Sequence, residues 1–168
     1  MTSSIIGLCN PQNPANMGSI MRASGCFDAQ AVHYTGQRFD KAKRFHTDTQ
    51  ASARKIPQIH TEDLLASVPT GHKIICIDLI EGAQALPEFT HPDNAFYVFG
   101  PEDGSISQAL IDAADHAIYI PTIGCLNLAA TVNIVLYDRE AKQGRVPRGD
   151  EQIRDSRDGN NHTRLKTE

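Results

Sequence analysis

Three short stretches of this 168-residue chain carry polar residues in patterns suited to chemistry. The first is Asn13-Pro14-Ala15-Asn16-Met17-Gly18-Ser19-Ile20-Met21-Arg22. Here Asn16 can cap a helix, and Gly18 lets another chain or a ligand approach closely. Arg22 then falls about one and a half turns inside that helix. Its side chain can reach back toward the helix N-terminus, where backbone N–H groups already favour an anion, and its paired N–H groups suit a phosphate. The second stretch is Gly100-Pro101-Glu102-Asp103-Gly104-Ser105-Ile106, a tight loop that presents a carboxylate between glycines. In the third, Pro121-Thr122-Ile123-Gly124-Cys125-Leu126-Asn127-Leu128-Ala129, an apolar loop leads into an apolar helix with Asn127 at its start. A plainer use exists for each: a capped helix with a surface arginine, a surface turn, and an asparagine that only caps. Spacing does not choose between the two sets.

The elements that must position these stretches alternate along the chain. Ile5 to Cys9 reads as a strand, and Asn16 to Phe27 as a helix with Ile20, Ala23 and Phe27 at helical spacing. Ala31 to Tyr34 is a short strand, and Ile56 to Ile59 a weaker one. Thr61 reads as the N-cap of a short helix through Ser67. The apolar runs Lys73 to Leu79 and Ala95 to Phe99 predict strands covered on both faces. Ser107 caps a helix to about Ala114, Ala117 to Ile120 is a strand ended by Pro121, and Asn127 to Lys142 is helical. Alternation of this kind predicts an α/β fold, an open and mainly parallel sheet with helices on both faces. Such sheets bind ligands at the carboxyl ends of their strands, where all three polar stretches fall.

Composition bounds the remaining choices. An apolar content of 40% argues against disorder. No apolar run is long enough to span a bilayer, and the first residues lack the basic and apolar regions of a signal peptide, so a cytoplasmic protein without membrane contact is expected. Cys9, Cys26, Cys76 and Cys125 form no C-x-x-C pair, which leaves no zinc spacing and predicts reduced, mostly buried thiols and no metal. A formal net charge of −4 excludes coating nucleic acid by bulk charge but not a local basic patch. The segment from Gln37 to Lys55 supplies such a patch. Arg38, Lys41, Lys43, Arg44, Arg54 and Lys55 are opposed only by Asp40 and Asp48, with Tyr34, Phe39, Phe45 and His46 nearby for stacking on a base. A solvated loop is the equal alternative. Residues 1–147 are expected to form one domain and 148–168 a flexible charged tail. Neither a P-loop nor a G-x-G-x-x-G fingerprint is present.

Taken in order, the three stretches resemble the SpoU, or TrmH-type, class of SPOUT methyltransferases. The family pattern N-x-G-x-x-x-R is matched by Asn16, Gly18 and Arg22, and G-P-E-x-x-G by Gly100, Pro101, Glu102 and Gly104. The pattern of I-P, a loop and S-L-N is matched by Ile120, Pro121, Leu126 and Asn127, with a shorter loop and Cys125 in place of the serine. The likeness covers roughly residues 4 to 142, and the short length resembles minimal members that methylate tRNA.

The resemblance implies a C-terminal deep trefoil knot, a homodimer with both subunits contributing to each site, and S-adenosylmethionine as cofactor. Contacts to it would come from Leu79, Gly100, Glu102, Ile120, Cys125, Leu126 and Leu128, largely through backbone groups. The implied reaction is methyl transfer to a ribose 2′-hydroxyl of RNA, most often tRNA, with the basic segment as the RNA contact. Arg22 would bind the adjacent phosphate, Asn16 would orient Arg22 or the ribose, and Glu102 and Asn127 would hold the loops. A guanidinium is a very poor base, its pKa lying above about 12, so positioning and electrostatics are the role expected of it. Two rivals remain: a non-catalytic tRNA-binding module of the same fold, and a base methyltransferase or hydrolase with Cys125 as nucleophile.

Overall fold

The computed structural model of the chain describes residues 2–43, 56–145 and 148–166. Among these, the apolar runs become parallel strands: β1 (Ser3–Leu8), β2 (Ala31–Tyr34), β3 (Gln58–His60), β4 (Lys73–Ile77), β5 (Gln84–Ala85), β6 (Asn94–Phe99) and β7 (His116–Tyr119). They join in one sheet of order β3-β2-β1-β6-β4-β7-β5, and every pairing is parallel. β1 and β2 are buried along their whole length, as strands covered on both faces must be.

Successive side chains of a strand point to opposite faces, and the core divides accordingly. Ile6, Leu8, Ile75, Ile77, Tyr97 and Phe99 pack with Met17, Ile20 and Ala23 of α1 (Pro14–Cys26) and with Leu128, Val132, Val135 and Leu136 of α4 (Leu128–Gln143). On the other face Ile5, Cys76, Phe96 and Val98 pack with Leu64, Ile106, and Leu110 and Ile111 of α3 (Gln108–Ala113). Helices therefore cover both faces, as the alternation requires. Gly7 has no side chain because the Phe96 ring occupies its place; a Cβ there would lie 2.5 Å from Phe96 Cε1.

Several boundaries differ from the sequence reading. Helix α1 starts at Pro14, not Asn16, and its cap is Asn13, whose Oδ1 accepts from Ala15 N at 2.8 Å and Asn16 N at 3.4 Å. Proline at the first helical position has no N–H to satisfy and a φ already helical, which moves the start forward. Asn16 is thus inside the first turn, and Arg22 lies more than two turns along. Strand β1 runs Ser3–Leu8 instead of Ile5 to Cys9, and β4 ends at Ile77, releasing Asp78 and Leu79 from the sheet. Thr61 caps no helix: its Oγ1 accepts from Asp63 N at 3.3 Å in a turn, and a single 3-10 turn follows at Leu65–Ser67. Where composition pointed only to a tail, α5 (Asp150–Ser156) forms, with no residue buried. Only Cys76 is fully buried; Cys26 at the end of α1 and Cys125 in a loop are exposed, which corrects the expectation of mostly buried thiols. In the basic segment, Arg38 and Lys41 lie on α2 (Arg38–Lys43), whereas Arg44, Arg54 and Lys55, and the Lys43 side chain, lie outside the described residues.

At the amino ends of β1 and β6 the core contains a polar network. Arg139 of α4 is fully buried and donates to Pro92 O at 2.7 Å, Asp93 O at 2.6 Å and the Tyr97 hydroxyl at 3.1 Å. His91 Nδ1 lies 2.6 Å from that hydroxyl, and Nε2 lies 2.9 Å from Asp138 Oδ2. Burial pushes the Tyr97 phenol up to about 12, so it stays protonated and can donate to Nδ1. Neutral His91 then donates from Nε2 to Asp138, a tautomer assigned from its partners.

Burial lowers the His91 pKa below its ordinary 6.5 despite Asp138, while Arg139 and Lys142 nearby act in the same direction as burial. The folded state therefore prefers the neutral ring, and the unfolded chain binds more protons between the folded pKa and 6.5. Stability from His91 is complete above about pH 6.5 and is lost as pH falls below it. His33, also lowered by burial, contributes with the same sign. Thermal melts should accordingly show Tm falling between about pH 7.5 and about pH 5.5, with a shallower slope in His91→Gln. An identical slope in the variant would remove His91 from this account.

Candidate functional site

The carboxyl ends of β1, β6, β4 and β7 are level. Leu8 pairs with Phe99, Ile77 with Phe99, and Ile77 with Ile118. The four loops that leave these ends surround one cavity of about 830 Å³. Gln12, Asn13 and Asn16 reach it from the β1 side, and Asp78 and Leu79 from β4. The β6 loop brings Gly100, Pro101, Glu102 and Gly104, and the β7 loop brings Ile120 and Thr122 through Leu128 apart from Ile123. Ala42 of α2 adds one edge.

Glu102 ties two of these loops together. Its carboxylate accepts from Gln12 N at 3.0 Å, Asn13 N at 3.1 Å and Asn16 Nδ2 at 3.4 Å. These amides precede α1, where donors without helical partners cluster and a negative charge is favoured. Gly100 lets the chain turn tightly past β4, since a Cβ there would lie 3.0 Å from Asp78 Oδ2 and 3.4 Å from Ile106 N. The same Asp78 oxygen accepts from Ile106 N at 3.1 Å, so Asp78 pins the far end of the Glu102 loop. Asn127 caps α4, its Oδ1 accepting from Ala130 N at 2.7 Å, and its helix N-terminus faces the cavity. Pro121 through Asn127 are all exposed, and Leu126 and Leu79 both present apolar surface to the cavity.

The structure thus brings together Asn16, Glu102 and Asn127 with Leu79, Gly100, Ile120, Cys125, Leu126 and Leu128. Arg22 is not among the lining residues. It is exposed on α1, eight residues past Pro14 and so about 12 Å further along the helix axis. Arg38 is engaged within the chain: it forms a two-pronged pair with Asp103, at 2.8 and 3.0 Å, and also donates to Gln12 Oε1. Asp78 was not anticipated from the sequence, although a carboxylate just past a parallel strand's carboxyl end is a usable signal. For a thiol nucleophile the surroundings are poor. Among the described residues, no histidine lines the cavity with Cys125. Burial pushes Cys9 up to about 11 and Cys76 up to about 12, so neither is a thiolate at neutral pH. Among the described residues no cluster of His, Cys, Asp or Glu could hold a metal ion, and no helix is long and apolar enough to cross a membrane.

A parallel sheet with a cavity across four adjacent strand ends defines a ligand-binding α/β protein. Its sequence matches the model of the SpoU rRNA Methylase family over residues 3–137, and the chain belongs to that family. No curated protein matches it. Solved structures with the same fold include an AdoMet-bound rRNA methyltransferase from Sinorhizobium meliloti, at 20% identity and a TM-score of 0.66 over 83% of this chain and 56% of that one. This chain therefore spans just over half the length of that enzyme. A TrmH/SpoU tRNA modifying enzyme of A. aeolicus is similar at 17% identity and a TM-score of 0.66, over 92% of this chain and 85% of the other. A structure described as giving insight into the 2-OH methylation of C/U34 on tRNA is similar at 18% identity and a TM-score of 0.67, over 86% and 99%.

Proposed function

We propose that this protein transfers a methyl group from S-adenosylmethionine to a ribose 2′-hydroxyl of an RNA, with tRNA as the substrate class, and that it acts as a cytosolic homodimer. The observation that carries this reading is the convergence of Asn16, Glu102 and Asn127 on one cavity at the ends of four parallel strands. Membership of the SpoU rRNA Methylase family supports the reaction class. The two tRNA-related structures, which this chain covers to 85% and 99%, favour a tRNA over a ribosomal substrate. A trefoil knot in the last third of the domain belongs to the same proposal; the placing of β6 between β1 and β4 is compatible with it.

The residues present fit the cofactor. About 830 Å³ lies within the range of sites for molecules of this size, which runs to roughly 1,000 Å³. Leu79 and Leu126 offer apolar surface, and the exposed backbone of 121–127 offers N–H and C=O groups to an adenine edge. When bound, the sulfonium supplies a methyl group with a good leaving group. Glu102 then fixes the loop before α1, Asn127 fixes the start of α4, and the two close the site against each other. Arg22 holds the substrate phosphate beside the hydroxyl. Because it lies outside the lining of its own chain's cavity, it is proposed to serve the cavity of a second copy in the dimer.

Two measurements test the reading. Calorimetry should show one S-adenosylmethionine bound per chain, and Gly100→Ala should weaken it by at least about tenfold, because the added methyl meets Asp78 and Ile106. Ribose methylation mapped across all tRNAs in cells with and without the protein should lose one 2′-O-methyl site. Loss of a base methyl group, or of a ribosomal site alone, would overturn the assignment.

A further inference from the structure

The Glu102 loop has a second attachment that the methyl-transfer reading does not use. Arg38 grips Asp103, the neighbour of Glu102, with Nη1 to Oδ1 at 2.8 Å and Nη2 to Oδ2 at 3.0 Å. The same Nη2 donates to the side chain of Gln12, whose backbone N–H is bonded to Glu102. A closed ring results: Arg38 to Asp103, along the backbone to Glu102, across to Gln12, and back to Arg38. Three loops of the site meet in it, because α2, which begins at Arg38, also places Ala42 against the cavity.

We infer that Arg38 is a positioning residue for the cavity: it holds the Glu102 loop and the loop before α1 in register, and it is not a cation presented to RNA. This rests on the methyl-transfer reading only for its kinetic part. The geometry favours it on three counts. A guanidinium fork bound to both oxygens of one carboxylate and to a third acceptor has few donors left for a phosphate. The pairing shows on both partners, with Asp103 raising the Arg38 pKa through their hydrogen bond and Arg38 lowering that of Asp103. Finally, the pair is exposed, with side chains 30% and 62% accessible, so it adds little to stability and its consequence is orientation.

The test compares Arg38→Ala, Asp103→Asn and the double variant in the full-length protein, with purified total tRNA and S-adenosylmethionine as probes. Each single variant should lower kcat about tenfold with the KM for RNA within about twofold, and the double variant should be no slower than either single one. Arg38→Lys should fail to restore the rate, since an ammonium cannot form the fork. A raised KM with a shallower salt dependence in Arg38→Ala alone, and additive losses in the double variant, would overturn the inference and make Arg38 an RNA contact. Amide exchange at Gln12 and Asn13 separates this from the proposed activity. It should quicken in Arg38→Ala and Asp103→Asn but not in Lys73→Ala, whose ion pair with Asp115 lies elsewhere. Faster exchange in the two variants, with a wild-type protein that transfers no methyl group, would sink the activity and keep the ring; unchanged exchange in the variants would sink the ring.

Discussion

Arg22→Ala is expected to lower single-turnover methyl transfer by roughly 10²- to 10³-fold, the scale of removing one charge-stabilising donor from an active site. S-adenosylmethionine affinity should stay within about twofold, because Arg22 does not line the cavity. The helix makes the expectation sharper. Arg22 lies about 12 Å beyond Pro14 along α1 and outside the residues that line the cavity of its own chain. The proposed role through a second copy has a direct test. Mixing Arg22→Ala with Glu102→Ala, each inactive alone, should recover activity up to about a quarter of wild type through mixed dimers with one complete site. A normal rate in Arg22→Ala removes the residue from the mechanism. A loss without recovery on mixing places it at its own site and removes the reason for the dimer.

The sequence revealed more of the site than of what holds the site together. Asn16, Glu102 and Asn127 could be found because each sits at a strand end, and a parallel sheet gathers its strand ends at one edge. Ala31–Tyr34 was read at its true boundaries because a short β-branched and aromatic run between turn residues has few other uses. The start of α1 is also legible, since Asn13-Pro14 is itself a cap followed by the favoured first residue, ahead of Asn16. The ties between loops were another matter. Arg38 and Asp103 are 65 residues apart, and Asp78 and Ile106 are 28 apart. Such pairs follow from register, and register is not written in local spacing. The basic segment illustrates the same limit from the other side: a cluster of cations suggested RNA, and its first member is spent on a carboxylate of its own chain.

Arg139 was hidden for a different reason, and its replacement should have the largest effect on stability. It lies on the core stripe of α4, in step with Val132, Val135 and Leu136, where an apolar residue is the ordinary occupant. Its guanidinium instead reaches the amino ends of β1 and β6, where it donates to the Pro92 and Asp93 carbonyls. Arg139→Met keeps most of the volume and removes the donors. Removing a buried charge outright can be neutral where apolar neighbours fill in, and here the Arg139 Nε is unbonded and 4.0 Å from Glu140. Glu140 itself keeps Arg145 at 2.6 Å. The Pro92 carbonyl nevertheless loses its donor, whereas Asp93 O keeps Ser3 N at 3.0 Å and the Tyr97 hydroxyl keeps His91, and a group left unsatisfied costs about 1–3 kcal/mol. The balance predicts a loss of about 1–3 kcal/mol in denaturant unfolding, and a Tm lower by roughly 2–12 °C for a domain of this size. Arg139→Lys should fall between, since one ammonium cannot serve both strand ends at the geometry of a fork. Destabilisation below about 1 kcal/mol in the methionine variant would mean that the Pro92 carbonyl finds water once the guanidinium is gone, and that burial at this end of the sheet is not what selects a charged residue.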